Sequence, residues 1–228
     1  MIVTVEIENL FFKYKGQNDY ILRGVNLRAN KGEVLAIVGL SGNGKSTICY
    51  TLNGIVPNTL KGDMKGSVKI LGNQVRDMNI SELATIIGVV FQDPDTQLFS
   101  PTVEDEIAFG PENLCLIREE MEKRVEKVLK LTGMEAYRYE NPNNLSGGEK
   151  QLIALGAVLS LEPEILVFDE AMAQIDDKGK KRIKSVIKRL KENGKTIIMI
   201  DHDFNNLDIA DRVVLLKDGR IYDFKGEL

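Results

Sequence analysis

The sequence predicts an α/β fold with a mostly parallel core sheet and an antiparallel β portion at its N-terminal end. Short continuous apolar runs recur along the chain, and such runs are typical of strands that are buried on both faces. Helical stretches alternate with these runs, which favours a parallel sheet. The continuous runs lie at residues 34–38, 87–91, 165–168, 196–200 and 212–216.

The antiparallel portion is predicted from the N-terminal residues. Val3, Val5 and Ile7 alternate with polar residues, and this alternation indicates a strand with one buried face. A second extended stretch covers residues 25–27.

Two helices are predicted with definite ends. Residues 118–132 are rich in Glu, Lys and Leu and are followed by Gly133, a residue type that commonly ends helices. Residues 177–193 carry apolar side chains at helical spacing and stop before Gly194.

The chain is expected to form a single domain, residues 1–228. The stretch at about 93–160 is mostly helical and lies between two buried strands. We therefore expect a helical subdomain there, inserted into a core formed by about 1–92 and 161–228.

Composition excludes several classes of protein. The formal net charge is −4, which argues against a coat for nucleic acid or for an anionic membrane. The single histidine, His202, excludes a zinc site with two or three histidine ligands in one chain, and two cysteines are too few for a disulfide scaffold. The longest near-apolar run, 152–161, is shorter than the roughly 20 residues that a membrane-spanning helix needs. With no secretory signal visible, we expect a soluble intracellular protein.

A glycine-rich loop follows the first buried strand and precedes an apolar helix start. Its pattern is that of a phosphate-binding P-loop (Walker A), whose backbone N–H groups surround phosphate oxygens at a helix N-terminus. Lys45 would reach the β- and γ-phosphates, and the Ser46 hydroxyl would bind Mg²⁺. A glycine-rich turn with an exposed lysine is the less favoured interpretation. The loop reads Gly39, Leu40, Ser41, Gly42, Asn43, Gly44, Lys45, Ser46 and Thr47.

Two carboxylates, Asp169 and Glu170, end a second buried strand. Ligands of open α/β sheets bind at the carboxyl ends of the strands, so this pair is expected beside the P-loop. Asp169 would hold Mg²⁺ directly or through water, and Glu170 would orient and deprotonate the attacking water. The alternative is an ordinary strand end with solvated acids.

A second anion site is predicted at residues 146–149. Ser146 and Glu149 have the spacing of a capping box that opens a helix, and Gly147 and Gly148 permit close approach of a ligand. One ATP needs only one P-loop, so this site suggests the nucleotide of a partner. A capping box without a ligand is the alternative.

Together these features resemble the nucleotide-binding subunit of ATP-binding cassette (ABC) transporters, over residues 3–225. The resemblance implies an ATPase that uses ATP and Mg²⁺. It also implies that two subunits pair head to tail, with residues 146–148 of each acting on the ATP of the other. Gln92 would then ligate Mg²⁺ and sense a membrane partner.

Two aromatic residues acquire roles through the same resemblance. His202 follows a buried strand where the family places an imidazole that contacts the γ-phosphate and the catalytic glutamate, here Glu170. Without the family, a structural histidine would be the favoured interpretation. Tyr14 matches the position whose ring stacks on adenine, with Tyr20 and a plain core aromatic as alternatives.

Residues 91–99 and 101–113 resemble the energy-coupling factor (ECF) type within the family. Such ATPases lie at the cytoplasmic face of the membrane and drive uptake of vitamins or of cobalt or nickel ions. Their partners are an integral membrane coupling protein and a substrate-binding membrane protein. The alternative function is a non-transport ABC ATPase that acts as an ATP-gated clamp on nucleic acid or the ribosome.

One departure from the family bears on the partner subunit. Ala173 stands where the family usually has a hydroxyl residue that bonds across the dimer, so we favour a heterodimer over a homodimer. Basic residues crowd the 177–193 helix, but its apolar face favours a solvated outer surface over a nucleic-acid site.

Overall fold

The computed structural model describes residues 2–173, 175–224 and 226. Its strands are Val3–Tyr14 (β1), Leu22–Asn30 (β2), Val34–Val38 (β3), Gly62–Ile70 (β4), Asn73–Gln74 (β5), Ile87–Val90 (β6), Ile165–Asp169 (β7), Thr196–Ile200 (β8), Arg212–Lys217 (β9) and Arg220–Asp223 (β10). Its α-helices are Lys45–Leu52 (α1), Ile55–Asn58 (α2), Ile80–Ile86 (α3), Val103–Asn113 (α4), Arg118–Thr132 (α5), Gly147–Leu159 (α6) and Asp177–Glu192 (α7).

Two sheets form the framework. The larger one has the order β10-β9-β3-β8-β7-β6, in which only β10 runs antiparallel to its neighbour. The smaller antiparallel sheet has the order β2-β1-β4-β5. The predicted fold class is therefore confirmed.

Alternating side chains of β3 divide the core into two clusters. Leu35 and Ile37 pack in the cluster that includes the antiparallel sheet and α1, whereas Val34 and Ala36 pack against the helices of the other face. Successive side chains of a strand point to opposite faces, so a strand covered on both sides must be apolar throughout. This explains the uninterrupted apolar runs of β3, β7 and β8.

The predicted helix ends agree closely with the structure. Gly133 ends α5 in the left-handed conformation, at φ 70°, which glycine adopts without a steric penalty. Helices α4, α5 and α6 lie within residues 93–160. The division of the chain into a core and a helical subdomain stays a prediction.

Helix α7 buries its apolar stripe and turns its cations outward. Its buried apolar side chains are Ile183, Val186, Ile187 and Leu190. Three of its lysines, Lys180, Lys184 and Lys191, form ion pairs with aspartates of the segment that follows β8. In the described ranges, none of the helices has both the length and the apolar character of a membrane-spanning segment.

Candidate nucleotide-binding site

The P-loop connects β3 to α1, and two of its glycines are required by their surroundings. A Cβ atom on Gly39 would lie 2.3 Å from the backbone oxygen of Leu216 on β9. Gly44, which directly precedes α1, has φ +98° and would press a Cβ atom to 2.9 Å from Leu22. Glycine alone meets both demands without strain. The loop is thus held against β9 and β2 while it turns into the helix.

Lys45 lies buried beneath this loop, with 5% of its surface exposed. Its Nζ donates to the backbone oxygens of Gly39 at 2.9 Å and Leu40 at 3.3 Å. The same nitrogen lies 3.3 Å from Oε1 of Glu170. A buried ammonium group requires such partners, and all three are oxygen atoms that a phosphate could replace.

Glu170 adopts the left-handed backbone conformation, with φ 53°. Non-glycine residues rarely occupy this region, and such residues concentrate at functional sites. The turn is held because the Glu170 N–H donates to Ile200 on β8 and its carbonyl accepts from Ala173. This backbone, which the sequence did not predict, places the carboxylate next to Lys45.

Asp169 is the last residue of β7 and is 7% exposed. Burial raises the pKa of its carboxyl, the charge of nearby Glu170 adds to the rise, and a hydrogen bond from Ser46 and the charge of Lys45 oppose it. The Ser46 hydroxyl and the Asp169 carboxylate are thus near neighbours, and both are oxygen ligands of the kind that Mg²⁺ prefers. Among the described residues, no cluster of three or more His, Cys, Asp or Glu side chains could hold a metal ion alone.

His202 also faces Glu170, with 3.3 Å between its Nδ1 and Glu170 Oε2. The backbone around His202 is fixed by Asp201, whose Oδ1 accepts from the N–H groups of His202 at 2.7 Å and Asp203 at 2.9 Å. Asp201 also accepts from the amide of Asn206 at 2.8 Å. Asp201 is not among the site residues predicted from the sequence, although a carboxylate directly after a buried strand is the kind of signal that predicts Asp169 and Glu170.

Tyr14 is connected to the P-loop by a hydrogen bond of 3.0 Å between its hydroxyl and that of Thr47. Its ring packs edge-on against Phe12, with 4.9 Å between the ring centroids. Tyr14 therefore belongs both to the core and to the rim of the site, so the two interpretations of this residue are compatible.

Two clefts share Tyr14 in their linings. The cleft on the P-loop side has a volume of about 230 Å³, and the one on the other side of Tyr14 about 360 Å³. Asn43 is absent from the first lining, and its N–H approaches the Leu40 carbonyl. The first cleft is lined by Tyr14, Ile21, Ser41, Gly42, Gly44, Lys45, Ser46, Thr47 and Glu170.

Tyr20, the alternative to Tyr14, is engaged elsewhere. Its hydroxyl donates to Asp63 at 2.7 Å, and the ammonium groups of Lys13 and Lys65 lie 5.3 and 5.7 Å from its ring centroid. Tyr20 is absent from the linings of both clefts.

Gln92 follows β6 and is exposed, and its side chain makes no hydrogen bond or ion pair within the described part of the chain. β6 lies beside β7 in the sheet, so Gln92 is near the end of the strand that carries Asp169 and Glu170. Among the described residues, no hydrogen bond joins the Gln92 side chain to either of them.

The predicted capping box is present at the start of α6. Ser146 N–H donates to Glu149 Oε2 at 3.0 Å, and Glu149 N–H approaches Ser146 Oγ at 3.4 Å. Ser146 and Gly147 are exposed, whereas Gly148 is buried and would press a Cβ atom to 3.1 Å from Ile175. Residues 146–148 line neither of the two clefts at the P-loop.

Comparisons with known sequences agree with this geometry. A family model described as ABC transporter matches residues 22–173. The energy-coupling factor transporter ATP-binding protein EcfA1 of Ligilactobacillus salivarius is 43% identical over 220 residues, which are 96% of this chain and 76% of that protein. A protein of Methanosarcina acetivorans named for ATP binding in an ABC transporter is 44% identical over 95% of this chain, and the match spans 34% of its own length.

Solved structures give the same result. The structure of cbiO1 from Clostridium perfringens, described as part of the ABC transporter complex cbiONQ, has a TM-score of 0.88 and 34% identity, over 97% of this chain and 88% of that one. A dimeric ATP-binding cassette, MJ0796, bound to ADP and Pi in a post-hydrolysis state has a TM-score of 0.81 and 29% identity, over 98% of this chain and all of that one. The P-loop and the two carboxylates lie at the carboxyl ends of strands in the same sheet. Together with these similarities, this shows that the chain belongs to the ABC transporter family, as an ATP-binding cassette with ATPase activity.

Proposed function

We propose that this ABC transporter subunit hydrolyses ATP to drive uptake of a micronutrient, either a vitamin or a transition-metal ion, through separate membrane proteins. The observation that carries the hydrolytic part is the position of Glu170, with Lys45 on one carboxylate oxygen and His202 on the other. The uptake part is supported by the similarity to EcfA1 and cbiO1.

In this proposal Glu170 acts as general base, which its position between Lys45 and His202 supports. ATP binding draws Lys45 towards the β- and γ-phosphates, which separates it from Glu170 and frees the carboxylate to orient water. His202 lies on the other side of the same carboxylate, where its imidazole can contact the γ-phosphate. Little covalent chemistry is required of the protein, so positioning and charge stabilisation provide the rate.

The residues at the end of β7 suit Mg²⁺. Ser46 and Asp169 would hold the ion, directly or through water, with Gln92 as a further oxygen ligand. The bound ion would neutralise charge on the phosphates as they react. Mg²⁺ is usually held by one or two carboxylates together with substrate phosphates, which fits a site with few protein ligands.

A second subunit is required to use residues 146–148. Ser146 and Gly147 are exposed at the N-terminus of α6, away from the chain's own P-loop clefts. This N-terminus is suited to the γ-phosphate of an ATP molecule that another subunit holds. The dimeric MJ0796 cassette supports such pairing.

The favoured partner is a different ATPase subunit, because Ala173 provides no hydroxyl group. A fast and cooperative ATPase activity of the purified chain alone would contradict the heterodimer. A slow activity that rises when a second ATPase subunit is added is the expected result.

A groove between the segment that follows Gln92 and helices α4 and α6 is suited to a membrane partner at the cytoplasmic face. It has a volume of about 550 Å³ and includes Phe99 and Phe109, whose rings meet edge-on at 4.7 Å and are 66% and 45% exposed. Buried Glu106 fixes one side by accepting the N–H groups of Phe99 at 2.9 Å and Ser100 at 2.7 Å. Exposed aromatic residues over a shaped groove are typical of protein interfaces.

Two measurements test this function. The first is ATP hydrolysis by the purified chain with its partners, in which Lys45→Ala should lose ATP binding and hydrolysis together. The second is co-purification from native membranes. A coupling protein and a substrate-binding membrane protein are expected to come with the chain, and purification with ribosomes or DNA instead would contradict the transport role.

A further inference from the structure

Gln151 joins α6 to the loop that carries Gln92. Residues 146–148 at the start of α6, which are expected to act on the other subunit's ATP, are called the signature residues below, and α6 the signature helix. It is 1% exposed, and its Nε2 donates to the backbone oxygen of Phe91 at 2.8 Å. Phe91 directly precedes Gln92 in the chain.

The backbone of Phe91 is held on both sides by glutamine side chains. Its N–H donates to Oε1 of Gln97 at 2.9 Å, within the same loop. Its carbonyl accepts from Gln151 on α6. Gln92 therefore starts from a fixed point, and one of the two groups that fix it belongs to the signature helix.

A second contact joins the same two segments. Lys150 Nζ lies 2.7 Å from Asp95 Oδ1, and the Lys150 side chain is 15% exposed. Lys150 and Gln151 are adjacent on α6. The loop is thus tied to the helix at residues 91 and 95.

At the other end of the Gln151 amide, Oε1 is buried and accepts no hydrogen bond from the described residues. Exchanging the amide oxygen and nitrogen would not help, because an oxygen would then face the Phe91 carbonyl. The amide is therefore oriented with its N–H group towards the Phe91 carbonyl.

We propose that Gln151 is a positioning residue that couples Gln92, beside the subunit's own nucleotide, to the signature residues 146–148, which act on the nucleotide of the other subunit. The coupling rests on the proposed function, since that function assigns Gln92 to the subunit's own nucleotide and residues 146–148 to the nucleotide of the other subunit. The distance along α6 from Ser146 to Gln151 is little more than one helical turn, so a displacement of the Phe91 carbonyl moves the signature with it.

Hydrogen–deuterium exchange on the purified chain tests the coupling within one subunit. The exchange of peptides that cover 39–47 and 144–153 is measured with and without Mg²⁺ and a non-hydrolysable ATP analogue. The protein concentration is one at which light scattering gives the mass of a single chain, so that no second subunit covers the signature. The variants are Gln151→Met, which keeps the shape and removes the donor, and Leu155→Met, a buried and volume-conserving change on the same helix.

The analogue is expected to slow exchange at 39–47 in all three proteins. It should also slow exchange at 144–153 in the wild type and in Leu155→Met, and this second effect should be lost in Gln151→Met. Equal slowing at 144–153 in Gln151→Met, or none in the wild type despite protection at 39–47, would overturn the inference. No protection at 39–47 in the wild type would instead refute the nucleotide site itself.

The Lys150–Asp95 pair gives a second test that does not alter a buried residue. Reversal of one charge, by Lys150→Glu or Asp95→Lys, should reduce the analogue-dependent slowing at 144–153, and combining the two should restore it. Single reversals that leave the slowing intact, or a double reversal that fails to restore it, would contradict the coupling.

Discussion

Replacing Glu170 by Gln is expected to tighten nucleotide binding while it abolishes most hydrolysis. Glu170 Oε1 lies 3.3 Å from Lys45 Nζ, so a phosphate must displace the carboxylate before it can use the lysine. The neutral amide of Glu170→Gln attracts Lys45 less strongly, so a phosphate displaces it more easily. The substitution also removes a negative charge from the neighbourhood of the phosphates.

The size of the effect follows from the distance. Two unit charges 3.3 Å apart attract each other by about 5 kcal/mol at an effective dielectric constant of about 20. Desolvation of the buried Lys45 and the half-buried Glu170 offsets most of this attraction. We expect a net gain in ATP affinity of about 1.4 kcal/mol, which is about tenfold in the dissociation constant. Loss of the general base should lower the hydrolysis rate by about 10²–10⁴-fold.

Calorimetric titration with a non-hydrolysable ATP analogue measures the affinity, and phosphate release measures the rate. Glu119→Gln, which removes a carboxylate in the first turn of α5, is the control for net charge and should change neither quantity. An unchanged or weaker affinity of Glu170→Gln would refute competition for Lys45. Full retained turnover would refute the role of Glu170 as base.

Three further substitutions probe the rest of the site. Burial raises the pKa of Asp169 in the folded chain, so the fold loses stability as the pH rises from the unfolded-state pKa to the folded-state pKa, and above the latter the charged carboxylate is fully destabilising. Asp169→Asn removes this effect. Calorimetric scanning of Asp169→Asn at neutral pH should show a melting temperature about 2–4 °C above that of the wild type, which corresponds to a gain of about 1 kcal/mol in stability. The variant should also lose Mg²⁺-dependent hydrolysis. A melting temperature below that of the wild type would contradict the destabilising effect of the charged Asp169 carboxylate. Tyr14→Phe keeps the ring and should bind ATP nearly as well as wild type, whereas Tyr14→Ala should lose about 1–3 kcal/mol of stacking in titrations, and equal binding by both would exclude stacking. Ser146→Ala removes the helix cap, so it should lower the free energy of unfolding by about 0.5–2 kcal/mol, and it should also slow ATP hydrolysis. If the same variant binds ATP more weakly at its own P-loop, Ser146 does not act on the partner's ATP.

Local signals made the P-loop and the buried strands predictable. The glycines at 39, 42 and 44 stand between an apolar run and a helix, and this order alone specifies a phosphate loop. The capping box of Ser146 and Glu149 is likewise a short-range pattern, and it forms as predicted.

Strand β4 could not be predicted in the same way. Most of its residues are polar or exposed, and it pairs with β1 across more than 45 positions of sequence. Its alternation is too weak to identify a strand, and the pairing depends on the fold of the whole sheet.

The contacts that define the site chemically also join distant parts of the chain. The Lys45–Glu170 pair, the Tyr14–Thr47 hydrogen bond and the Gln151–Phe91 hydrogen bond each connect different elements. The left-handed backbone of Glu170 depends on β8, since Ile200 accepts its N–H. No local pattern encodes such contacts, although the sequence patterns predict functional roles for Lys45, Glu170 and Tyr14.

The central claim is that the P-loop of one subunit and residues 146–148 of another bind the same ATP molecule, and a structure tests it most directly. The measurement is the distance from Ser146 Oγ to the γ-phosphate in an ATP–Mg²⁺ complex of the Glu170→Gln chain with its partner subunit. We predict a hydrogen-bond distance of about 2.5–3.0 Å to an ATP molecule held by the other subunit's P-loop. A complex of the two subunits in which ATP lies on the P-loops but Ser146 contacts no nucleotide of the other subunit would contradict this claim.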